Sequence, residues 1–463
     1  MSPQKKTASN KILWIFAIGQ LGWSMLSGIV TNLLVFFYKP TDEVLREGHT
    51  LFITKQTFFG LTIIGLISAA GRVFDAVTDP LIAGRSDRLR HRLGRRIPFM
   101  RYSAIPFGIV TVLLFFSPAD HTSPVNAAAL TVCTLLFYLC MTCYCTPYNA
   151  LIPELGRTQN ARINLSTFIS VTFFLGNGLA FAVPMAAGAL KDSVGYTNSY
   201  RIPIAALGVI AVICMLIPAF LIDENEYADT TPSNDSAFRS LTATFRNPEF
   251  RMFVISDILY WIALTIFQTG LMFYVTKLLR LSEGTSSTLF IVMSAVSVCF
   301  YLPVNIISKK TGKKKPVFFA FVCFSAVFLI TAFAGKTGIP GMAYGIIIAV
   351  TAALPMAILG ILPQAVVADI SEADQLDTGE NRQGMFYAAR TFAFKLGQSA
   401  AMLIFTSAAS VREDTGLGYR LTAVIAAVLC LLGGIVFLRY NEKKVIKRIR
   451  QNSKPKASAP KAD

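Results

Sequence analysis

The sequence predicts an all-α membrane protein with twelve transmembrane helices arranged as two six-helix bundles. Its 463 residues are 54% hydrophobic and only 15% charged, with a mean hydropathy of +0.55. Soluble domains carry about 25% charged residues, so the composition excludes a soluble globular protein and a disordered one. A polar stretch at 223–249 separates six apolar runs from six more, which predicts the division into two bundles.

Each predicted span is a run long enough to cross a bilayer, which takes about 20 mostly apolar residues. The first run is too long for the apolar core of a signal peptide and no obvious cleavage site follows, so we expect it to remain as a helix. The predicted spans 1 to 12 cover residues 12–38, 56–83, 98–117, 125–152, 165–190, 202–222, 250–275, 286–307, 316–335, 340–365, 385–408 and 421–438.

Lysine and arginine are distributed unequally between the two sets of loops. The alternating set that includes both termini carries 30 basic residues, and the opposite set carries 10. Because cytoplasmic loops of membrane proteins are enriched in Lys and Arg, this predicts a multi-pass protein of the cell membrane with both termini in the cytoplasm. The net charge of +17 therefore reflects cytoplasmic loops, and we expect no nucleic-acid partner.

A short internal repeat supports the two-domain organisation. Gly-Arg-Arg-Ile-Pro at 94–98 opens span 3, and Gly-Lys-Lys-Lys-Pro at 312–316 opens span 9. Two six-helix halves joined by a cytoplasmic loop are the architecture of the major facilitators, whose substrate site lies at the membrane midplane between the halves. The predicted domains are an N-terminal bundle at 1–222, a cytoplasmic linker at 223–249, a C-terminal bundle at 250–440 and a basic cytoplasmic tail at 441–463. We expect the tail to be solvated, with weak attraction to anionic lipid headgroups as the alternative.

Histidine and cysteine give little support to an enzyme or a metal site. The three histidines, His49, His91 and His121, fall in predicted loops, and no Ser-His-Asp arrangement is apparent. All eight cysteines lie in apolar runs, so we expect no disulfide framework. Those at 140, 143 and 145 are close in sequence, and a metal site there is the minor alternative because no histidine or further cysteine lies near them. We expect no enzyme activity, no cofactor and no structural metal.

Span 2 carries a cluster of charges that is unusual inside a membrane. Arg72, Asp75 and Asp79 are spaced i, i+3 and i+7, so they share one helix face, with Thr78 beside them. Two carboxylates about 6 Å apart repel by roughly 3 kcal/mol at an effective dielectric near 20. Arg72 can offset one charge, and a proton or a sodium ion can offset the other. The alternative is a static Arg72–Asp75 pair in a helix that ends at Asp79-Pro80.

The second intramembrane charge is Lys395 in span 11, in the other half of the chain. Ionisable groups within spans are rare and usually pair with one another or line a wet cavity. Asp75 or Asp79 is the natural partner, and we expect the ammonium to lie within about 4–6 Å of a carboxylate in at least one state. The alternative is a lysine that extends to the membrane surface.

The loop after span 2 is rich in arginine. It contains Asp87, Arg88, Arg95 and Arg96 in Gly84-Arg-Ser-Asp-Arg and Gly94-Arg-Arg, which resembles the G-x-x-x-D-R…G-R-R pattern found at this position in the major facilitators. An aspartate among arginines at a helix end can form a cytoplasmic latch that opens and closes during transport. The alternative is charge that only sets the topology, and the two roles are compatible.

Three segments resemble the glycoside-pentoside-hexuronide:cation symporters, the melibiose-carrier family. RVFDAVTDPL at 72–81, followed by Asp87-Arg88, resembles span 2 of that family, and TPYNAL at 146–151 resembles part of its span 4. Ala368-Asp369-Ile370 with TGENRQG at 378–384, then Lys395, resembles its loop and span 11. The resemblance covers the chain in order, and it implies the major facilitator fold and no enzyme activity.

The resemblance also implies a cation site. Asp75, Thr78, Asp79 and Thr142 fall on the family's cation ligands, and Thr78 stands where the melibiose carrier has an asparagine. Lys395 falls on its coupling lysine, and we expect Arg72 to take part in coupling. The coupling ion is then Na+ or H+.

The substrate-binding residues of this chain differ from those of the family's sugar-binding members. They place Asp in span 1, Asp and Trp in span 4, and Arg in span 5. This chain has Ser24 in span 1, Cys145 and Asn149 in span 4, and no Arg between Asn164 and Ser170. The predicted substrate-binding residues are Gln20, Ser24, Asn149, Gln364, Thr391 and Gln398.

These residues predict a symporter that imports a glycoside or a related small polar solute by alternating access. A cation-coupled carrier of lysolipids or other amphiphiles is the alternative, because animal lysolipid transporters of the wider family also look similar in keeping the cation motif without the sugar ligands. A membrane enzyme or a non-transporting receptor is the least favoured class. We expect a monomer whose partners are a small-molecule substrate and membrane lipid.

Overall fold

The computed structural model describes residues 6–55, 57–58, 60–156, 158–228, 244–379, 383–412 and 415–452. Within these residues the chain folds into helices at all twelve predicted spans, and the span numbers are kept for the observed helices. Spans 1 to 6 are Asn10–Tyr38, Ile63–Arg88, Ile97–Leu113, Pro124–Leu155, Gln159–Phe181 with Val183–Val194, and Tyr196–Leu221. Spans 7 to 12 are Pro248–Phe273 with the π-helical turn Tyr274–Leu278, Glu283–Thr311, Lys314–Ala332, Gly341–Thr378, Gln383–Ala409 and Leu417–Phe437.

The remaining described elements are short. They are the helices Asp42–Arg46, Glu224–Tyr227 and Glu442–Asn452, and the two-residue strands Thr57–Phe58 and Leu61–Thr62. The strands form one antiparallel hairpin in which Thr57 pairs with Thr62.

Several helix boundaries differ from the predicted ones, and in spans 2 and 5 the local reasons are visible. Span 2 begins at Ile63 because the hydroxyl of Thr62 caps it by accepting from the backbone N–H of Gly65 at 3.2 Å. It also continues through Pro80 to Arg88, so the alternative in which Asp79-Pro80 ends the helix is wrong. Span 5 breaks after Phe181, and Pro184, which has no N–H, stands in the first turn of the second piece.

Nine of the described helices are long and apolar enough to cross a membrane by length and composition. Ile97–Leu113 is also apolar but shorter. The other two, spans 2 and 11, contain the intramembrane charges that the sequence pattern singles out. The charges expected to carry function are therefore among those that reduce the hydropathy of these two helices.

The same helix packing occurs in both halves. In the first half, span 1 packs against spans 5 and 6, span 3 against spans 4 and 6, and span 2 against span 4. In the second half, span 7 packs against spans 11 and 12, span 9 against spans 10 and 12, and span 8 against span 10. The domain boundaries stay a prediction. Most of the predicted linker, Glu380 to Arg382 of the family segment and the end of the basic tail lie outside the described residues.

A glutamate caps the repeated motif in each half. The carboxylate of Glu224, which follows span 6, accepts from the backbone N–H groups of Arg96 and Ile97 at 2.8 and 2.9 Å. In the second half, Glu442 follows span 12 and accepts from the backbone of the residues at 313 and 314 at 2.6 and 3.0 Å. Gly94 and Gly312 lie against these carboxylates with φ of +100° and +80°. The repeat is therefore a paired helix cap that needs a glycine for its backbone angle and for the close approach.

The two halves meet through spans 2 and 11, spans 5 and 8, and spans 1 and 7. Several polar contacts join them at the end of the bundle opposite to the described chain ends. Lys277 pairs with Glu43, and Lys39 Nζ donates to the carbonyl of Thr406 at 3.1 Å. The hydroxyls of two tyrosines of span 6 donate to the carboxylate of Glu283 in span 8. These contacts hold the two halves together at this end, around a cavity that residues of both halves line.

Candidate cation and substrate site

Span 2 positions two carboxylates inside the protein between the halves. Asp75 and Asp79 are one turn apart, so both project from the same face of the helix. The side chain of Asp75 is fully buried, and that of Asp79 is 22% exposed. That face is directed toward spans 4 and 11, which pack against span 2.

Lys395 of span 11 lies between the two carboxylates. Its Nζ is 2.9 Å from Oδ2 of Asp75 and 2.6 Å from Oδ2 of Asp79. The lysine is itself buried, so it points to the carboxylates and not out of the bundle. One ammonium therefore links the second half of the chain to two acidic groups of the first half.

Threonines of span 4 hold the other oxygen of each carboxylate. Thr142 Oγ1 donates to Oδ1 of Asp75 at 2.8 Å, and Thr146 Oγ1 donates to Oδ1 of Asp79 at 3.1 Å. Thr78 Oγ1 lies 3.4 Å from Thr142 Oγ1 and also donates to backbone carbonyls of its own helix. The residue-level prediction did not include Thr146. The signal was present, because Thr142 and Thr146 repeat the i, i+4 spacing of the two aspartates.

Arg72 does not form the static pair with Asp75 that was the alternative in the sequence, and its part in coupling stays a prediction. Its Nη2 donates to Thr31 Oγ1 at 3.0 Å, and its guanidinium lies 5.2 Å from the centre of the Tyr138 ring. Arg72 is buried, and its Nε has no hydrogen-bond partner among the described residues. Lys395 supplies the counter-charge that Arg72 was expected to supply.

The charge and chemistry of this cluster suit a monovalent cation. Two ionised carboxylates against one ammonium leave a formal charge of −1, and the surrounding side chains offer carboxylate and hydroxyl oxygens, which hard cations prefer. Within the described part of the chain, no group of three or more His, Cys, Asp or Glu side chains could hold a metal ion. The cluster can therefore exchange a cation against the ammonium, but it does not resemble a structural metal centre.

Comparisons with known proteins place the chain in a family. Residues 15–444 match the family described as MFS/sugar transport protein. The chain belongs to this family. It is 30% identical, over 42% of each chain, to a protein of Escherichia coli K12 that is named "Putative glycoside/cation symporter YagG". It is 22% identical to sodium-dependent lysophosphatidylcholine symporter 1 of Gallus gallus, over 84% of this chain and 82% of the relative.

A solved structure confirms the fold. The D-xylose–proton symporter structure superposes with a TM-score of 0.69 at 15% identity, covering 94% of this chain and 98% of that one. The predicted major facilitator fold and the resemblance to the glycoside-pentoside-hexuronide:cation symporters are therefore confirmed. The protein is a multi-pass membrane protein of this family.

The predicted substrate residues have unequal environments in this family member. Gln20, Ser24 and Gln398 are buried, Thr391 is half-buried, and Asn149 and Gln364 are exposed. Ser24 Oγ donates to the carbonyl of Leu21 in its own helix at 3.1 Å. Among the described residues, Oε1 of Gln398 is buried without a partner, so it is an available acceptor one turn from Lys395. The substrate roles of all six residues stay a prediction.

The predicted gating residues lie together in the first half. Arg96 Nη2 is 3.9 Å from Oδ1 of Asp87, and its Nη1 is 3.5 Å from Oε1 of Glu154. Arg95 Nη1 donates to the backbone carbonyl of Asp87 at 3.5 Å, and Arg88 is exposed. These contacts join spans 2, 3 and 4, and the latch role stays a prediction.

A second buried ion pair lies in the other half. Arg390 of span 11 donates through Nε and Nη2 to the two carboxylate oxygens of Asp257 in span 7, at 2.7 and 2.9 Å. Both side chains are about 5% exposed. Sequence reasoning missed Asp257, although a lone carboxylate inside span 7 is the same signal that identified Asp75 and Asp79.

Two tryptophans occupy equivalent positions in the two halves. Trp23 is the fourteenth residue of the span 1 helix, and Trp261 is the fourteenth residue of the span 7 helix. Each indole N–H is buried without a hydrogen-bond partner among the described residues. Trp261 stacks on Phe394, next to Lys395, with ring centres 4.5 Å apart. Each half therefore contains one buried indole N–H that is available as a hydrogen-bond donor.

Proposed function

We propose that this protein is a cation-coupled secondary symporter that imports a glycoside or a related small polar solute together with Na+ or H+. The observation that supports this best is the contact of Lys395 with both Asp75 and Asp79. A cation site and a link between the halves then coincide, which is what coupling requires. A relative named as a glycoside/cation symporter supports the same reading.

The geometry supports a simple exchange. In the cation-free state, the ammonium of Lys395 offsets the repulsion between the two carboxylates. A cation that enters takes over this role and releases Lys395, which can then meet a substrate oxygen or the free acceptor of Gln398. Reorientation with cation alone is disfavoured, because it would leave an unpaired ammonium in the protein interior.

We further infer a state that faces the cytoplasm. The excess of basic residues in one set of loops, 30 against 10, supports a cell-membrane protein with both termini in the cytoplasm. The polar contacts at Glu43 and Glu283 then close the extracellular end. In this state the cation and the substrate would leave toward the cytoplasm, and the carrier would work as a monomer.

A second candidate is a cation-coupled carrier of lysolipids or other amphiphiles. The relative named as a lysophosphatidylcholine symporter covers most of this chain. Asn149 stands where sugar-binding members place a tryptophan, which removes one aromatic platform for a sugar ring. The amphiphile reading requires the same cation site, so it differs from the first only in its substrate.

The first experiment tests coupling and substrate together. Vesicles that contain the protein are given an inward Na+ gradient, an inward proton gradient or neither, and are offered a panel of glycosides or lysophosphatidylcholine. We expect accumulation above equilibrium with one of the two gradients. The substrate that accumulates distinguishes the two candidates, and uptake that no gradient increases would overturn the proposal of coupling.

Asp79→Asn tests the site within the same assay. We expect this variant to lose gradient-driven accumulation while it retains more of the exchange of substrate across the membrane, because exchange needs less net cation movement. Asp120→Asn, at an exposed aspartate in an outer loop, is the matched control and should accumulate normally. If Asp79→Asn accumulates normally as well, that carboxylate is structural.

A further inference from the structure

The cation cluster consists of two similar rungs between spans 2 and 4, which differ in that Lys395 donates a hydrogen bond to Asp79 and forms an ion pair without hydrogen-bond geometry with Asp75. In one rung Thr142 donates to Asp75 Oδ1, and one turn along both helices Thr146 donates to Asp79 Oδ1. In each rung the second oxygen, Oδ2, contacts Nζ of Lys395. Each carboxylate therefore has one oxygen held by a hydroxyl and one oxygen directed at a shared point.

The bond made by Thr146 is unusual for a helical threonine. A threonine in a helix interior commonly donates to the carbonyl three or four residues earlier in its own helix. Thr131 of the same span does so, to Ala127 at 2.7 Å, and Thr172 of span 5 does so to Phe168 at 2.9 Å. Thr146 instead donates to a carboxylate of the neighbouring helix. The hydroxyl therefore contributes to the site and not to its own helix.

The second rung has particular need of such a bond. Asp75 is fully buried and is packed on all sides, whereas the side chain of Asp79 is 22% exposed. Packing alone therefore restrains the rotation of Asp79 less than that of Asp75. One fixed oxygen leaves the carboxylate a single orientation in which the other oxygen faces the site.

We propose that Thr146 is a positioning residue that sets the affinity of the site for its cation by fixing the orientation of Asp79. This inference rests on the proposed function. Without the hydroxyl, Oδ1 of Asp79 loses its donor, and the carboxylate can turn toward the exposed side. The two Oδ2 atoms then no longer converge on one point, so the ion binds more weakly although both charges remain.

The test uses direct cation binding, so it does not depend on knowing the substrate. The purified full-length chain is unfolded by heat in detergent while NaCl replaces choline chloride at constant ionic strength, and separately while the pH is varied at constant salt. The concentration of Na+ or H+ that gives half of the stabilisation is compared among wild type, Thr146→Val, Thr146→Ser and Thr131→Val. Valine has nearly the same shape as threonine but no hydroxyl, and serine retains the hydroxyl.

We expect Thr146→Val to need about tenfold more cation than wild type, because a hydrogen bond to a charged group is lost. Thr146→Ser should stay within about threefold of wild type, and Thr131→Val should not differ from it. A purely structural role would lower the unfolding temperature of Thr146→Val at every cation concentration without moving the half-saturation point.

The outcomes separate this inference from the proposed function. If wild type responds to a cation and Thr146→Val has the same half-saturation point, the positioning role is wrong and the cation site stands. If Thr131→Val shifts as much as Thr146→Val, the role is also wrong, since any lost hydroxyl in span 4 would act alike. If wild type responds to neither Na+ nor pH, the cation coupling itself is wrong.

Discussion

Removal of the ammonium of Lys395 should expose the repulsion that it relieves. Both Oδ2 atoms contact the same nitrogen, at 2.9 and 2.6 Å, so they lie at most about 5.5 Å apart. At an effective dielectric near 20, two unit charges at this separation repel by at least roughly 3 kcal/mol, and each attraction to the ammonium is about 6 kcal/mol. In Lys395→Ala the attractions are lost and the repulsion remains.

A cation should therefore restore much of the stability that Lys395→Ala loses. Removal of one partner from a buried charge cluster typically costs about 3–5 kcal/mol, so we expect a marked loss of thermal stability in choline chloride. In NaCl the ion no longer competes with an internal ammonium. The half-saturating concentration should fall at least about tenfold below that of wild type, and the stabilisation at saturation should be larger.

Thermal unfolding with NaCl against choline chloride measures both effects, and a pH series replaces it if the ion is a proton. Lys39→Ala is the matched control. It removes another buried lysine that joins the halves, but one whose Nζ bonds to Thr406 and Ser410 and not to the two aspartates. Lys395→Arg should rescue poorly, because a planar guanidinium does not fit a site sized for a compact ammonium. An unchanged cation response in Lys395→Ala would refute the competition between lysine and cation.

Three further predictions concern other parts of the chain. Asp257→Asn leaves the buried guanidinium of Arg390 unpaired and should cost about 3–5 kcal/mol of stability in detergent, whereas wild-type stability would show that the pair contributes nothing. Glu283→Leu removes the acceptor of two buried tyrosine hydroxyls at the end proposed to be extracellular. It should increase maleimide labelling of a cysteine introduced at the buried Thr41. Labelling at the rate of the parent protein would show that the contact of Glu283 with the tyrosines does not hold this end closed. Burial lowers the pKa of His49 from 6.5 to about 4, so the unfolded chain takes up this proton first and stability falls as the pH drops from 6.5 to 4. The loss is roughly 3 kcal/mol, and thermal unfolding of His49→Gln should show a shallower pH dependence, or the burial argument is wrong.

The twelve spans could be predicted because the bilayer sets a length requirement that a run of apolar residues either meets or does not. Their ends depend on local chemistry that hydropathy does not report. Span 2 starts where Thr62 caps it and tolerates Pro80 in its interior. Span 10 runs past its apolar part to Thr378 and stops at Gly379, whose φ is +75°. Such ends are set by capping and backbone angles, and a hydropathy value averaged over a stretch of residues does not detect either of them.

The central contact of the site was predictable for a different reason. Charges inside a membrane protein must find partners, and the chain offers few, so Lys395 and the aspartates of span 2 select each other. Arg72 lies near Asp75 in sequence, but its guanidinium has Thr31 and Tyr138 as neighbours instead. The spacing of Thr142 and Thr146 matches that of the two aspartates, but spacing alone does not assign a role to Thr146, since most helical threonines bond to their own backbone. Its role depends on which face of span 4 meets span 2, and this is a property of packing.

The distribution of buried charge between the halves explains why a lysine and a cation should alternate. Among the charges that lie inside the spans around the site, Asp75 and Asp79 of the first half exceed Arg72 by one formal negative charge. In the second half Arg390 is matched by Asp257, which leaves Lys395 as +1. In the empty carrier these six charges therefore cancel only while the halves are joined at this contact. A bound cation neutralises the first half by itself and leaves the ammonium of the second half without a partner.

Burial of a charge without a partner is costly because the charge loses its solvation by water. The loaded carrier therefore needs an acceptor for Lys395 before it can close. A substrate that presents oxygen atoms to this ammonium would supply one, and transport of the cation would then depend on the substrate without any direct contact between the two.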